Sequence, residues 1–517
     1  MSKMREILKH PLKEFLVLDL RALALFRIFF GLVLIIDFLD RLKDVHIFYS
    51  AEGVVYPSLF SGNVFSNNTF SLNFLSGDPS FQALILLSGL LLAIFFTLGY
   101  FTKVSNILLW IIVVSLHNIN VMILQGGDDY MRLLLFWAMF LPLGRRFAID
   151  SLHHKFSSLN RYFSVANLGL IFQIVFLYFF TAMLKDSPIW TYDYSAVYYA
   201  LSLDPFRTPI GDIIMSVQWL PAILTFVAIN IERVVPFLIL LPFYNQFTRT
   251  FAVVLIFGLH IGIGTAMDVG PFSWVCMAAA IALIPTPTID LGLNILRNKL
   301  PQKYKTKAVT IRGKFATLFK KLPYLVVSVK SRIKGEKFKR ILNTSASTLV
   351  FFTLLSFVLI TNVNTVGLTY NVGEVPSKII RFLRIDQSWK MFAPYPTFEG
   401  GWTVIVGYDE NGQYYNLYQG NSRDVKPDDL YNNPKNERWR KYTMNLWNAS
   451  RYETERVYLL GYYCRQSWRG NLETPPLVKL EMYHELLLTQ PDYQEKTHSE
   501  KLLTTIECSS EDNTVPV

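Results

Sequence analysis

Cysteine is nearly absent: Cys276, Cys464 and Cys508 are the only three in 517 residues. That is too few for a disulfide scaffold, and none has the C-x-x-C spacing of a zinc site. There is no H-E-x-x-H or D-x-D-x-D run, no G-x-S-x-G elbow and no phosphate-cradling glycine loop. Metal, serine-hydrolase and nucleotide chemistry therefore find little support, and no metal is expected. Charge is scarce as well, at 17% of residues. The net charge of +11 would suit nucleic acid, but the basic residues collect in one connecting segment, where membrane topology explains them better. No nucleic-acid partner is expected. Nor is a cleavable leader evident, because the polar, basic first 20 residues run into a full-length apolar stretch.

What the chain has is apolar blocks and aromatics, 51% and 15% of residues. Apolar runs of crossing length, roughly 20 residues, or close to it occupy about 22–39, 81–99, 104–124, 131–144, 165–185, 219–243, 250–267, 272–285 and 347–365. Lys and Arg gather at 100–103, 145–162, 244–249 and 291–340, the last with fifteen Lys or Arg against Glu336 alone. The loops between hold few. The positive-inside rule then predicts about nine transmembrane helices with the N-terminus in and the C-terminus out. Residues 1–21 read as a basic amphipathic lead-in, 22–290 as the main transmembrane domain, 291–340 as a basic cytoplasmic linker and 341–365 as the last crossing. The tail, 366–517, alternates turns with strand-like runs (TVIVGY, YYNLYQG, RVYLLGYYC, LVKLEMYHELLL). The expected fold class is an all-α polytopic membrane domain with a small β-containing extracytoplasmic domain.

Ionisable residues inside crossings default to pairing or function, because an unpaired charge there is costly. Arg27 and Glu232 both fall toward the cytoplasmic side of their crossings, which predicts a structural ion pair between them. Lys185 closes the aromatic run FQIVFLYFFTAML and is followed at once by Asp186, Ser187 and Pro188. A lysine at such an edge either snorkels to water or serves as a base once partly desolvated. His260, among Gly258, Gly262 and Gly264, shares the outer half of the membrane with Lys185, His117 and the loop Gln125-Gly126-Gly127-Asp128-Asp129-Tyr130. The glycines would let helices approach closely. Convergence of these groups on one outward-facing site is the functional expectation.

Two stretches carry a family resemblance. RALALFRIFFGLVLIIDFLDRLKDVHIFYSAEGVVYP and LHNINVMILQGGDDYMRLLLFWAMFLPLG resemble the HTTM, or horizontally transferred transmembrane, family, which includes vitamin K-dependent γ-glutamyl carboxylase. YFFTAMLKDSPIW resembles the carboxylase helix end A-G-V-K-K-L-D-x-D-W, and LHIGIGTAMDVGPFSWVCM resembles F-H-x-M-N-x-x-x-F-x-I-G-x-F-x-x-x-M. The resemblance covers about residues 20–285. It implies Lys185 as the base that deprotonates reduced vitamin K or menaquinol, whose oxidation to an epoxide drives removal of a γ-proton from a substrate glutamate so that CO2 adds. It likewise implies His260 as a catalytic partner and Trp190 and Phe272 as cofactor-binding residues; Asp128 and Asp129 as further catalytic partners, and His117 and Tyr130 as further cofactor-binding residues, are expected from their shared depth in the outer half. Gly270 matches a family glycine.

Departures are plain. The first lysine of the carboxylase pair is Leu184 here, and Gly127 to Arg132 replaces an N-H-S-Y-L-Y run. The tail is short, and QSWKMFAPYPTFEGGW and NERWRKYTMNLW resemble the tails of bacterial members. The resemblance thus implies a bacterial inner-membrane protein with lipid, a lipid quinol and a peptide or protein on the outer face as partners. A non-catalytic scaffold or transporter-like protein, with the tail binding a ligand or partner, is the competing expectation. An oxidising compartment would permit a bond between Cys464 and Cys508, and the sequence leaves that pairing open.

Overall fold

A computed structural model describes residues 15–66, 68–153, 159–299, 301, 317, 336–423, 425–428, 430, 436–448 and 451–509. Residues 1–14 of the basic lead-in and most of the linker (302–316 and 318–335) lie outside the described residues.

Each of the nine apolar runs is helical. They form α1 (Leu20–Lys43), α2 (Pro79–Leu98), α3 (Thr102–Ile119), α4 (Gly126–Ala138), α5 (Ala166–Leu184), α6 (Leu220–Leu240), α7 (Asn245–Ala266) and α8 (Phe272–Ile281), with α10 (Glu336–Thr365) as the last. Between them, α9 (Thr286–Lys299) follows α8 after a bend of 95°. Among the described residues, seven helices are long and apolar enough to cross a membrane, or eight if α8 and α9 count as one span. α4, with 13 residues, and α8, with 10, fall short alone. At 1.5 Å per residue they cover only about 20 and 15 Å.

Both short helices are buried along most of their length, so turns can complete their paths without exposing backbone to lipid. α4 begins at the end of the bundle where α1 finishes, because Asp128 pairs with Arg41. The turn that follows α4 reaches the opposite end, where Asp150 accepts from Phe101 N at 2.9 Å and Thr102 N at 2.8 Å. There the residues 143–147 offer carbonyls to Arg27.

Local chemistry sets the boundaries. Asp78 caps α2 by accepting from Ser80 N and Phe81 N ahead of Pro79, and Gly99 ends it in the left-handed region with φ 69°. A Cβ at Gly31 would collide with Thr97, and one at Gly89 with Phe38, so α1 and α2 pack at small residues. Gly264 does the same against Ser273 at 3.2 Å, whereas a Cβ at Gly258 or Gly262 meets nothing within 4 Å. Those two glycines therefore do not mediate the close approach expected of them.

The tail carries a four-stranded antiparallel sheet in the order β2-β1-β3-β4, from β1 (Glu399–Tyr408), β2 (Tyr414–Asn416), β3 (Lys479–Leu488) and β4 (Thr497–Glu507). Helices α11 (Glu374–Leu383), α12 (Glu437–Leu446) and α13 (Glu453–Trp468) complete it. The run RVYLLGYYC, expected as a strand, lies in α13. Its buried residues Arg456, Leu459, Leu460, Tyr463, Cys464 and Ser467 recur at helical spacing, and Glu453 and Glu455 sit in the first turn. Its aromatic and apolar content suited a strand, but the period is that of a helix. Cys464 and Cys508 are disulfide-bonded, tying α13 to the end of β4, and Cys276 is a buried free thiol.

Candidate functional site

Lys185 terminates α5 as its C-cap residue, and its side chain is only 6% exposed. Its Nζ lies 2.6 Å from Glu232 Oε1 and 2.8 Å from Oε2, so α6 presents a carboxylate that grips the amine with both oxygens. The ring of Trp190, from the turn after Pro188, lies 4.3 Å from the same Nζ. The Trp190 indole N–H is fixed in turn by the Phe392 carbonyl at 3.0 Å. An aromatic face and a carboxylate thus confine one amine between them.

Two turns before Lys185 on the same helix, the Tyr178 hydroxyl contacts His260 Nε2 at 2.9 Å and lies against the Cys276 thiol. Phe272 packs edge-on against His260, with centroids 5.5 Å apart. Tyr130 is fully buried and meets Trp389, from the segment leading into the tail, at 5.7 Å. Several buried polar atoms here have no hydrogen-bond partner among the described residues: Tyr130 Oη, His260 Nδ1, Trp389 Nε1 and Ser273 Oγ. Such atoms are rare and costly, so a cluster of them marks a place where something polar belongs. Phenolic, imidazole and indole groups set among aromatic rings fit the hydroxyls and flat ring of a hydroquinone.

Asp128 belongs to a different centre. It completes a capping box with Gln125 and pairs with Arg41 and with Arg438, the latter through Oδ2 at 2.8 Å. Arg438 comes from α12 of the tail and also engages Asp37, which accepts from Arg41 Nε at 2.7 Å. Two arginines and two aspartates thus neutralise one another in a buried square. His117 Nε2 approaches Asp128 Oδ1 only to 3.8 Å, and neither of its ring nitrogens has a hydrogen-bond partner among the described residues. Asp129 pairs with Arg132 at 3.0 Å. The residues expected to form one site therefore divide. Lys185, Trp190, His260, Phe272 and Tyr130 gather with Glu232 and Tyr178, whereas Asp128, Asp129 and His117 join the ion network under the tail.

The Arg27–Glu232 pair does not form. Glu232 is the partner of Lys185, because α6 packs along α5 and brings that face to its end. Arg27 instead donates to the carbonyls of Leu143 at 2.9 Å and Arg146 at 3.4 Å, and to that of Phe147. It is a cation whose hydrogen bonds go to backbone carbonyls, with the Asp150 carboxylate acting on it at longer range.

The tail reaches the membrane domain at several further points. Asp44 accepts from Asn436 Nδ2 at 2.6 Å and from Trp439 Nε1 at 3.0 Å, and Arg440 pairs with Asp268 at 2.7 Å. Gln173 Nε2 donates to Gln387 Oε1 at 2.7 Å, and Gln173 itself accepts from Trp137 Nε1 at 3.1 Å. Gly270 has φ 59°, a conformation that favours glycine, and a Cβ there would push the Glu437 carboxylate out of its place. Burial between Arg438, Asp128 and Asp268 pushes the Glu437 carboxyl up to about 7, desolvation being the largest cause.

The sequence missed Glu232 as partner of Lys185, and missed Tyr178 and Arg438, whereas Trp389 opens an aromatic stretch of the tail that the scaffold reading expected to bind a ligand or partner. Tyr178 precedes Lys185 by seven residues, one helical face apart, and that spacing was legible. Arg438 stands in NERWRKYTMNLW, whose hydrophilic look gave no sign of burial.

No curated protein and no solved structure matches the chain. The model of the HTTM domain family matches residues 15–286. That match takes in α1 through α8 and the whole Lys185 cluster, more than half of the 517 residues, and the chain belongs to the HTTM family.

Proposed function

We propose that this HTTM-family membrane protein is a lipid-hydroquinone-dependent, carboxylase-like enzyme with Lys185 as its base. The observation that carries the reading is the buried Lys185 amine held between Glu232 and the face of Trp190, beside the Tyr178–His260 contact. Lys185 first passes its own proton to Glu232, within 2.8 Å, and the neutral amine then takes the proton of a phenolic hydroxyl. Trp190 limits the amine to one approach. Tyr130, His260 and Trp389 supply the unpaired polar atoms that orient a reduced vitamin K or menaquinol head group. Such a cofactor, oxidised by oxygen, supplies the driving force for removing a weakly acidic C–H proton at a carbon to which CO2 adds. The tail covers this region through Trp389 and Phe392, which supports a role in admitting a peptide or protein substrate from the outer face.

The basic residues near the Thr102 end of the bundle support an orientation with that end in the cytoplasm. Nine passes, with α4 and α8 completed by turns, then leave the tail outside a bacterial inner membrane. The disulfide between Cys464 and Cys508 supports the same placement, since such bonds persist in oxidising compartments. A second reading, a non-catalytic scaffold whose tail binds a partner, is favoured by one observation: both Lys185 and Asp128 have their charges fully answered within the chain.

The test is oxidation of reduced vitamin K and of menaquinol to the epoxide by the purified protein, wild type against Lys185→Ala. Lys185-dependent epoxide is the expected result. A folded wild type that neither binds nor oxidises either quinol would leave the scaffold reading in possession.

A further inference from the structure

Well inside a membrane-crossing helix, Arg233 stands without a partner among the described residues. It follows Glu232 on α6, and the turn of the helix between neighbours sends the two side chains apart. Glu232 is buried and grips Lys185, whereas Arg233 is exposed on the outer surface of the bundle. The nearest carboxylate in sequence is thus already spent on another cation. One turn earlier on the same side, Asn230 donates its Nδ2 to the Phe226 carbonyl at 2.8 Å.

The surface around Arg233 is apolar in both directions along α6. Phe226 and Phe237 are 50% and 65% exposed, and Ile223, Val234 and Leu241 are exposed with them. Ile223 lies ten residues before Arg233 and Leu241 eight after, about 15 and 12 Å at 1.5 Å per residue. Arginines near helix ends escape to the interface, but this one is set within an apolar lane, where an unanswered charge is costly. On α7, which packs along α6, Val254, Gly258, Ile261 and Gly262 are also exposed. A Cβ at either glycine would meet nothing within 4 Å. These glycines define no site alone, but they leave room for a further helix to come close.

We propose that the outer face of α6 docks a transmembrane helix of another protein, one that carries an ionised Asp or Glu at mid-depth. That carboxylate meets the Arg233 guanidinium, whose planar fork can take both oxygens and so sets the depth and rotation of the docked helix. Each charge is costly in lipid alone and answered only in the pair. A second copy of this chain does not fit. Its own Arg233 would face the first across a two-fold axis, and the acids of α1 to α8 are engaged by cations of the chain, as Glu232 is by Lys185.

The test uses the full chain in phosphatidylcholine vesicles at mildly alkaline pH, with synthetic Leu-Ala transmembrane peptides as probes. One peptide carries Glu at its centre, one Gln and one Lys, each with an acceptor dye. Förster transfer from the tryptophans of the chain reports association. The Glu peptide is expected to associate about tenfold more tightly than the Gln peptide, with the Lys peptide weakest. Arg233→Leu should abolish the preference for Glu, and Arg233→Lys should keep part of it. Without peptide, Arg233→Leu should leave the thermal midpoint of the chain unchanged or higher, because it removes a charge from lipid. Equal association of the three peptides, or an undiminished Glu preference in Arg233→Leu, would overturn the proposal. A lowered midpoint would overturn it by giving Arg233 a partner within the chain. Displacement of the Glu peptide by phosphatidylglycerol would do so by assigning Arg233 to a lipid phosphate.

Discussion

At the scale of the residue, the membrane domain answers each buried cation differently, and the differences are measurable. Lys185 has a carboxylate, Arg27 has carbonyls, and Arg41 and Arg438 share two aspartates. Removing one partner of a buried ion pair leaves the other charge stranded, at a cost of about 3–5 kcal/mol. Glu232→Gln should therefore destabilise the protein by that order. A double-mutant cycle between Lys185→Met and Glu232→Gln should show strong non-additivity in thermal unfolding, because the second change relieves the charge that the first exposes. The same cycle between Arg27→Met and Glu232→Gln should be additive within about 0.5 kcal/mol. Coupling between Arg27 and Glu232 would refute the partners described here. Tyr178→Phe removes only the hydroxyl that meets His260, so it should leave stability within about 1 kcal/mol while lowering quinol turnover if the contact positions His260.

At the scale of the element, α12 stands out as a soluble-domain helix that drives Arg438 into the transmembrane bundle. Asn436 caps it, accepting from Arg438 N and Trp439 N, and so aims the first turn at Asp37, Asp44 and Asp128. Arg438→Met should loosen the tail from the bundle, seen as faster proteolysis after Lys441 with the membrane helices still intact. Asp37→Asn alone should act in the same direction but more weakly, since Asp128 still answers Arg438. An unchanged cleavage rate in Arg438→Met would mean that the contacts of Trp439, Arg440 and Gln387 suffice. Much of this element-level organisation was legible in advance. The nine apolar runs mark nine helices because long apolar stretches have few alternatives in lipid. The Lys185 end of α5 was legible too, as a lone cation against a proline turn. Pairing was not, because partners such as Lys185 and Glu232 are 47 residues apart and only packing brings them together. α13 was misread because its tyrosines and leucines satisfy a strand by composition, while their spacing fits a helix.

At the scale of the whole molecule, the tail is seated on the membrane domain through buried charge, which ties its seating to pH. Glu437 is the group to follow, since it contacts the network from α12 and approaches Arg438 Nε at 3.8 Å. Its carboxyl titrates near 7 in the folded protein against an ordinary value of 4.5. Between those values the folded state holds a proton that the unfolded chain has released. Stability from this group is therefore complete below pH 4.5 and declines as pH rises toward 7. His484 acts in the opposite direction: burial pushes it down to about 4 from 6.5, so its contribution grows as pH rises through that window. The two partly cancel, and the wild-type profile alone will not separate them. Glu437→Gln separates them, because it keeps the shape of the side chain and removes only its titration. Relative to wild type, this variant should gain stability as pH rises from 4.5 to 7, by an amount on the order of 1 kcal/mol per unit at most. Thermal unfolding of both proteins across that range reads the difference directly, with His484 common to each. A flat difference would mean that Glu437 stays ionised throughout, and that burial beside the aspartates does not raise its proton affinity. A rising difference would make the contact between tail and bundle tighter on the acidic side, and would place the proton-sensitive group, Glu437, beside Gly270, two residues before Phe272, whose ring packs on His260.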